Sequence, residues 1–170
     1  IKAFQKNGET TAMIGDGVND AAALKFADIG IAMGKKGSEV SREAADLILL
    51  DEKFSTVIET VKDGRRIYDN IKKAVGYIFS IHLPIMLSAL IAPLLNITTD
   101  NLLLLPVHMV LLELLIDPTC SIIFERQPAE ADVMTRKPRS KNEKILTKRL
   151  LIKSLLQGMG VFIFSFIPYL

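Results

Sequence analysis

Short apolar runs alternate with helix-like segments along the first fifty residues. Three runs, TTAMIG, IGIAMG and DLILL, are short and end in glycine or charged residues, which is typical of buried strands. Between them lie NDAAALKFAD and SEVSREAA, each of which begins with a helix-capping residue type. This alternation of strands and helices predicts a parallel α/β sheet, at whose carboxyl edge ligands bind.

A long helical pattern follows from about Ser55. It contains only one weak point, Gly64, before Pro84, and no stop signal separates its charged part from its apolar part. We therefore predict a stalk helix over 55–73 that runs directly into a membrane span over about 74–95. The apolar positions that define the helical spacing are Val57, Val61, Ile67, Ile71 and Val75.

Two further apolar stretches predict spans over 102–124 and 150–170. Residues 74–124 contain no Lys or Arg, whereas the segment 125–149 has eight basic residues against four acids. By the positive-inside rule, that segment is a cytoplasmic loop and the N-terminal domain is cytoplasmic as well. The alternative is a pair of core helices in a soluble protein, although apolar runs this long are uncommon there.

The composition excludes several other classes of protein. The net charge of +2 gives no basic surface for nucleic acid, and one cysteine in 170 residues excludes an internal disulfide framework. Residues 1–73 carry 12 basic and 12 acidic residues, which is the chemistry of a soluble domain. Because the sequence begins at Ile1 and stops at Leu170 inside an apolar run, we expect it to be a piece of a longer chain.

The string GDGVND provides the first candidate site. Asp16, Asn19 and Asp20 follow the first predicted strand, and closely spaced acids repel one another unless a cation lies between them. Mg²⁺ prefers such oxygen ligands, while Gly15 and Gly17 permit a tight turn and close backbone approach to a bound phosphate. The alternative is a pair of aspartates that cap a helix and a turn.

A longer string narrows these alternatives. The segment GDGVNDAAALKFADIGIAMG, and its continuation SEVSREAADLILLDEKFSTVIETVKDGRRIYDNIKK, resembles the hinge-motif region of P-type cation-transporting ATPases, within the haloacid-dehalogenase-like superfamily. One departure is Ala22, where that family commonly has proline. The resemblance implies a Rossmann-type parallel sheet over 1–54, the C-terminal part of the cytoplasmic phosphorylation domain, followed by membrane helices five, six and part of seven over 74–170.

The resemblance also implies a chemistry: ATP hydrolysis through an aspartyl-phosphate, with Mg²⁺ coordinated by Asp16 and with Asn19 and Asp20 completing the phosphate site. Asp20 is a second candidate Mg²⁺ ligand. The nucleophile of the family, in the string DKTGT, does not occur here. ATP would be bound mainly by parts of the pump outside this sequence, and we expect the 170-residue chain alone to be inactive.

The second predicted span contains a candidate ion site. Glu113 and Asp117 are four residues apart, so they share one helix face, and ionisable groups inside a membrane span are functional candidates. Pro118 frees the carbonyl of Leu114 as a further oxygen ligand. In the first span, Pro84 likewise frees the carbonyl of Ser80. His82, beside Pro84, is a candidate either for ion binding or for helix packing.

Comparison with the resembled family does not identify the transported ion. The acid matching Asp117 binds the ion in calcium and sodium pumps, but Glu113 and His82 stand where such pumps often have asparagine. Near Ile85, calcium pumps carry a glutamate. Ca²⁺, Mn²⁺, Mg²⁺, Na⁺, K⁺ and H⁺ all remain candidates, while a third span argues against the heavy-metal branch. His108 and Cys120 are expected to be packing residues.

The sequence thus predicts part of an ATP-driven cation pump. Its partners would be the lipid bilayer, the transported cation and the remainder of the ATPase chain, and its location the plasma membrane. One rival is a soluble haloacid-dehalogenase-like phosphatase, which can also carry the string GDGVND. Another is a non-enzymatic membrane protein, either a channel subunit or a remnant of a pump.

Overall fold

The computed structural model describes residues 1–97, 104–140 and 143–168. The chain divides into two compact units, Ile1–Val61 and Lys62–Leu170. The first is a small α/β unit and the second is helical. This is the predicted fold class, an α/β sheet followed by an α-helical membrane part.

The first unit is built on a parallel sheet. The strands lie in the order β1-β2-β3, with Ile14 paired to Ile31 and Ile31 paired to Leu47. A 3-10 turn, Val18–Asp20, links the first strand to the helix after it. The helix α1 is an element that the sequence pattern did not predict. The elements in chain order are α1 (Lys2–Lys6), β1 (Ala12–Gly15), α2 (Ala21–Phe26), β2 (Ile29–Met33), α3 (Glu39–Ala44) and β3 (Leu47–Leu49).

The core of this unit is small and includes one polar residue. Leu24, Ala32 and Ser41 are fully buried. A cavity of about 500 Å³ is lined by the strands together with Val57 and Val61 of the next helix. That helix begins at Phe54, and the compact unit includes its first two turns, to Val61.

The helix α4 (Phe54–Leu94) is continuous over 41 residues and contains Pro84 and Pro93. It begins one residue before the predicted stalk and ends one residue before the predicted end of the first span at residue 95. Each proline removes one backbone hydrogen bond from the ladder, and its ring crowds the carbonyl four residues before it. The helix nevertheless continues through both.

Two more helices complete the second unit: α5 (Pro106–Arg126) and α6 (Lys148–Phe166). The span predicted over 102–124 is thus shifted toward its C-terminus, and residues 102 and 103 lie outside the described residues. The span predicted over 150–170 begins two residues earlier, because the Thr147 hydroxyl accepts a hydrogen bond from the Leu150 N–H (3.2 Å) and caps α6.

Among the described residues, α4, α5 and α6 are each long and apolar enough to cross a membrane. Gly76 and Gly158 allow α4 and α6 to pack closely. A Cβ atom at Gly76 would lie 3.0 Å from Leu150, and one at Gly158 would lie 2.9 Å from the Ser80 carbonyl oxygen. Small residues at such crossings are typical of membrane helices.

The segment after α5 is attached to the polar part of α4. Arg66 and the buried Asn70 donate hydrogen bonds to the Gln127 carbonyl (3.3 and 2.9 Å), and Arg65 donates to the Val133 carbonyl (2.9 Å). Such bonds use backbone acceptors that a loop exposes once its helix has ended. Three ion pairs join the same elements: Asp69 with Arg136, Lys73 with Glu130 and Lys72 with Glu143.

Candidate functional site

The first candidate site lies at the carboxyl end of β1. Asp16 directly follows the strand, and its side chain and that of Asn19 are exposed, whereas Gly15 is buried. Asn19 and Asp20 lie on the 3-10 turn that starts at Val18. The three polar residues predicted from the sequence are therefore presented together at the sheet edge, where parallel α/β proteins bind ligands.

Asp20 is held by the backbone of the loop it follows. Its Oδ2 atom accepts hydrogen bonds from the Gly17 N–H (3.0 Å) and from the Asp16 N–H (3.2 Å). Two backbone donors stabilise the charged carboxylate, so the repulsion expected between the aspartates is reduced. Asp20 thus fixes the loop that carries Asp16.

The position of Asp20 explains why residue 15 is a glycine, and it does so more specifically than the need for a tight turn. A Cβ atom at Gly15 would lie 2.6 Å from the Asp20 Cβ and 2.9 Å from its Cγ. No side chain fits there unless Asp20 moves. Gly17 is less constrained, because a Cβ there would meet Asp20 at an ordinary distance of 3.4 Å.

Two serines that were not among the predicted site residues also position Asp16. The Asp16 carbonyl accepts a hydrogen bond from the Ser38 N–H (2.8 Å), and the Ser41 hydroxyl lies 3.2 Å from the same oxygen. Ser38 also caps α3, since its hydroxyl accepts from the Ser41 N–H (3.1 Å). The capping signal was visible in the sequence, but the contact across the sheet edge was not.

The donor set at this edge suits a hard cation. Asp16 and Asp20 offer carboxylate oxygens, and Asn19 offers an amide that bonds to oxygen without adding charge. One oxygen of Asp20 is occupied by two backbone donors, which leaves its second oxygen and the exposed Asp16 carboxylate for a ligand. The residues therefore fit Mg²⁺.

The second candidate site joins two of the apolar helices. One ligand atom each from His82, Glu113 and Asp117 lies within 4.8 Å of the other two. The closest pair is His82 Nε2 and Glu113 Oε2, at 3.1 Å. The side chains of His82 and Glu113 are each about one-third exposed. The structure therefore brings together all three residues proposed from the sequence for ion transport.

The hydrogen bonds of His82 set its tautomer. Its Nδ1 lies 2.9 Å from the Ile78 carbonyl oxygen, which can only accept, so Nδ1 carries a hydrogen. In the neutral ring, Nε2 then has a lone pair that faces the Glu113 carboxyl group. Either a proton lies between these two atoms or a cation takes its place.

The two prolines have different consequences for the carbonyl oxygens that they leave without a donor. Both helices continue through Pro84 and Pro118. The Ser80 carbonyl, which Pro84 deprives of its usual donor, lies against Gly158 of α6. It therefore faces a neighbouring helix at close range. Pro118 supplies no N–H to the carbonyl of Leu114, which leaves that oxygen as a candidate ligand one turn from Asp117.

Three other polar residues of α5, which are His108, Thr119 and Ser121, make local hydrogen bonds. The Leu105 N–H donates to His108 Nδ1 (3.4 Å) at the start of the helix. Thr119 donates to the Leu115 carbonyl (2.6 Å) and Ser121 to the Asp117 carbonyl (3.0 Å). Bonds to the preceding turn are what isolated hydroxyls make in apolar helices.

Comparison with known protein families matches both parts of the chain. Residues 1–60 match the haloacid dehalogenase-like hydrolase family, and residues 101–170 match the family described as cation transporting ATPase, C-terminus. The two matches fall on the two halves of the fold. They confirm the resemblance carried by the string GDGVND.

Curated relatives match along nearly the whole chain. A calcium-transporting ATPase of Plasmodium falciparum is 39% identical over 99% of this chain, and one of Bacillus subtilis is 36% identical over 100%. The human calcium-transporting ATPase type 2C member 1 is 38% identical over 94%. The chain spans only 14%, 19% and 17% of the lengths of these relatives.

Proposed function

Because the chain belongs to the P-type cation-transporting ATPase family, we propose that it supplies two parts of an ATP-driven cation pump. One part is a magnesium and phosphate site in the α/β unit. The other is an ion site between apolar helices. The complete pump, meaning the longer protein that would carry this sequence, works through an aspartyl-phosphate whose aspartate lies outside the 170 residues.

At the sheet edge, Asp16 and Asp20 are the ligands proposed for Mg²⁺, and Asn19 bonds to a phosphate oxygen. When bound, Mg²⁺ neutralises charge on the phosphoryl oxygens. The role of this chain is to hold Asp16 in position: Asp20 binds the loop N–H groups, and Ser38 binds the Asp16 carbonyl. ATP is bound mainly by other parts of the complete pump.

The observation that carries the proposal is the grouping of His82, Glu113 and Asp117 within 4.8 Å in apolar helices. Two acids on one face of such a helix repel each other and lose their hydration, so they favour a bound cation. Phosphate-ester hydrolysis by a soluble phosphatase does not require such a group. The three apolar helices likewise favour the pump over that rival.

The link between the two sites is proposed to be α4, which is continuous from Phe54 to Leu94 and carries His82. A rigid helix transmits a displacement along its axis. The basic loop between α5 and α6 supports a cytoplasmic position for that loop and for the N-terminal unit. We place the pump in the plasma membrane.

Sealed vesicles that contain the complete pump test this proposal. We expect Asp16→Asn to abolish ATP hydrolysis, and Asp117→Asn to abolish cation-stimulated hydrolysis and cation uptake. The matched control is Glu59→Gln, at an exposed position of α4. Phosphate-ester hydrolysis that no cation beyond Mg²⁺ stimulates, and that Asp117→Asn leaves unchanged, would contradict the pump and support the phosphatase.

A further inference from the structure

The group formed by His82, Glu113 and Asp117 mixes two kinds of ligand atom. It offers one imidazole nitrogen and two carboxylate groups, all within 4.8 Å. Ca²⁺ and Mg²⁺ are hard cations that take oxygen ligands almost exclusively. Imidazole nitrogen instead suits the first-row transition metals, and carboxylates are compatible with them. The nitrogen is therefore the atom that discriminates among cations.

The orientation of His82 favours metal binding over simple packing. Its Nδ1–H donates to the Ile78 carbonyl at 2.9 Å, one turn back on the same helix. That bond directs Nε2, with its lone pair, toward Glu113 at 3.1 Å. A histidine that binds a metal with one nitrogen commonly donates its other N–H to a carbonyl or a carboxylate, which fixes the ring in this way.

The other histidine of the chain shows a different environment. His108 accepts a hydrogen bond from the Leu105 N–H at the first turn of α5 and does not belong to the group. Among the described residues, the group also contains no cysteine sulfur, although Cys120 is buried one turn beyond Asp117. A soft monovalent ion such as Cu⁺, which prefers sulfur, is therefore disfavoured.

We infer that the ion carried by the pump is a divalent first-row transition metal, of the type of Mn²⁺, Co²⁺ or Zn²⁺, bound by His82 Nε2 and by the carboxylates of Glu113 and Asp117. This inference rests on the proposed function and names the substrate class of the same site. It sets this chain apart from relatives whose names specify calcium.

The first test measures ATP hydrolysis and uptake by the complete pump in vesicles at constant MgATP, with MnCl₂, ZnCl₂ or CaCl₂ added separately. We expect Mn²⁺ or Zn²⁺ to stimulate at lower concentration than Ca²⁺. Stimulation by Ca²⁺ alone would overturn the inference but would leave the proposed function as a cation pump standing. Absence of stimulation by any cation would overturn the proposed function and the inference together.

The second test exchanges the nitrogen for an oxygen. His82→Asn should lower the apparent affinity for Mn²⁺ relative to Ca²⁺ by at least about tenfold, the scale typical of altered metal coordination. His108→Asn is the matched control and should leave the ratio unchanged. A remaining response to Ca²⁺ shows that the His82→Asn protein is folded. An unchanged ratio in that folded variant would overturn the inference.

A third test needs no turnover. With MnCl₂ as the probe and excess MgCl₂ to occupy the site at Asp16, pulsed electron paramagnetic resonance of the purified complete pump should detect a nitrogen nucleus coupled to Mn²⁺. The coupling should vanish in His82→Asn and persist in His108→Asn. Mn²⁺ bound without nitrogen coupling in the unmodified protein would overturn the inference.

Discussion

The two candidate sites each contain an acidic pair, with the same spacing but with different surroundings. Asp16 and Asp20 are four residues apart, and so are Glu113 and Asp117. The first pair spans the turn that joins β1 to α2, where backbone N–H groups have no helical partner. Asp20 accepts two of them, from Asp16 and Gly17. The backbone itself therefore stabilises the charge.

The second pair lies inside α5, where nearly every backbone N–H is already bonded to the preceding turn. The backbone there has no free N–H to donate to Glu113. The contact is made instead by the side chain of His82, on another helix. Equal spacing of acids thus leads to different chemistry, because the state of the backbone decides which donors are free. A turn holds an acid by itself, whereas a membrane helix requires an outside partner or a cation.

The largest effect is expected from a substitution that disrupts the turn between β1 and α2. Gly15→Ala would place a Cβ atom 2.6 Å from the Asp20 Cβ, so Asp20 must leave its backbone donors and Asp16 loses its fixed position. Displacement of a catalytic group by about 1 Å costs roughly 100-fold in rate. We expect a loss of that size in ATP hydrolysis by the complete pump. Gly64→Ala is the control, since nothing lies within 4 Å of its Cβ; a similar loss in both variants would refute the explanation.

The next effect breaks the membrane pair. Glu113→Gln keeps the shape of the side chain and its reach to His82 but removes one negative charge from the group. The apparent affinity for the transported cation should fall by about tenfold or more, equivalent to ~1.4 kcal/mol. Ion-dependent ATP hydrolysis of the complete pump measures it. Glu125→Gln, near the end of α5, serves as the control, and an equal affinity in Glu113→Gln and the unmodified pump would contradict the assignment.

An effect of comparable size tests how α4 and α6 pack next to His82. Gly158→Ala would press a Cβ atom to 2.9 Å from the Ser80 carbonyl, two residues before His82, and should lower the free energy of unfolding by about 1–3 kcal/mol. Gly160→Ala meets nothing within 4 Å and should raise it by about 0.5–1 kcal/mol. Denaturant titration of the chain in detergent distinguishes the two. Equal changes would show that α4 and α6 do not pack as described.

The smallest effect extends the comparison to one more acid, Asp51, which lies near the start of α4. The Thr56 hydroxyl (2.5 Å) and the Lys53 N–H (3.3 Å) donate to Asp51, and these bonds lower the pKa of Asp51 below its ordinary 3.8. A lowered pKa contributes stability above pH 3.8 that is lost as the pH falls through the folded-state pKa. Thr56→Val should therefore raise the pKa of Asp51 toward 3.8.

Carbon-13 NMR of labelled aspartate in the whole chain measures this pKa. Thr60→Val is the control, because its hydroxyl donates to the Thr56 carbonyl instead of to Asp51. If Thr56→Val left the pKa of Asp51 where it is in the unmodified chain, the hydroxyl bond would not be its main cause.

Much of the architecture was predictable from the sequence. The alternation of short apolar runs and helical segments predicted three parallel strands, and the strands begin and end within the expected runs. The absence of Lys and Arg over 74–124 predicted membrane helices, since lipid excludes charge. Helix ends were less predictable. The apolar segment ends at residue 124, whereas α5 continues to Arg126.

The candidate sites were predictable only in part. The carboxylates at the end of β1 were expected to lie together because they are close in sequence. The role of Ser38 and Ser41 was not, since these residues follow β2 and are more than 20 positions from Asp16 along the chain. Similarly, the prolines were expected to expose carbonyl oxygens, but the Ser80 oxygen lies against Gly158 in the folded chain.

The sequence by itself determined which segments are long and apolar enough to cross a membrane, which acids share a turn or a helix face, and which known family the chain resembles. These properties follow from composition and from spacings of a few residues. The tertiary structure alone decided that His82 meets Glu113, 31 residues further along the chain, and that its nitrogen faces two carboxylates. The physical reason is that helix periodicity fixes neighbours within one helix, whereas the contact between two helices depends on how their small residues and side chains pack.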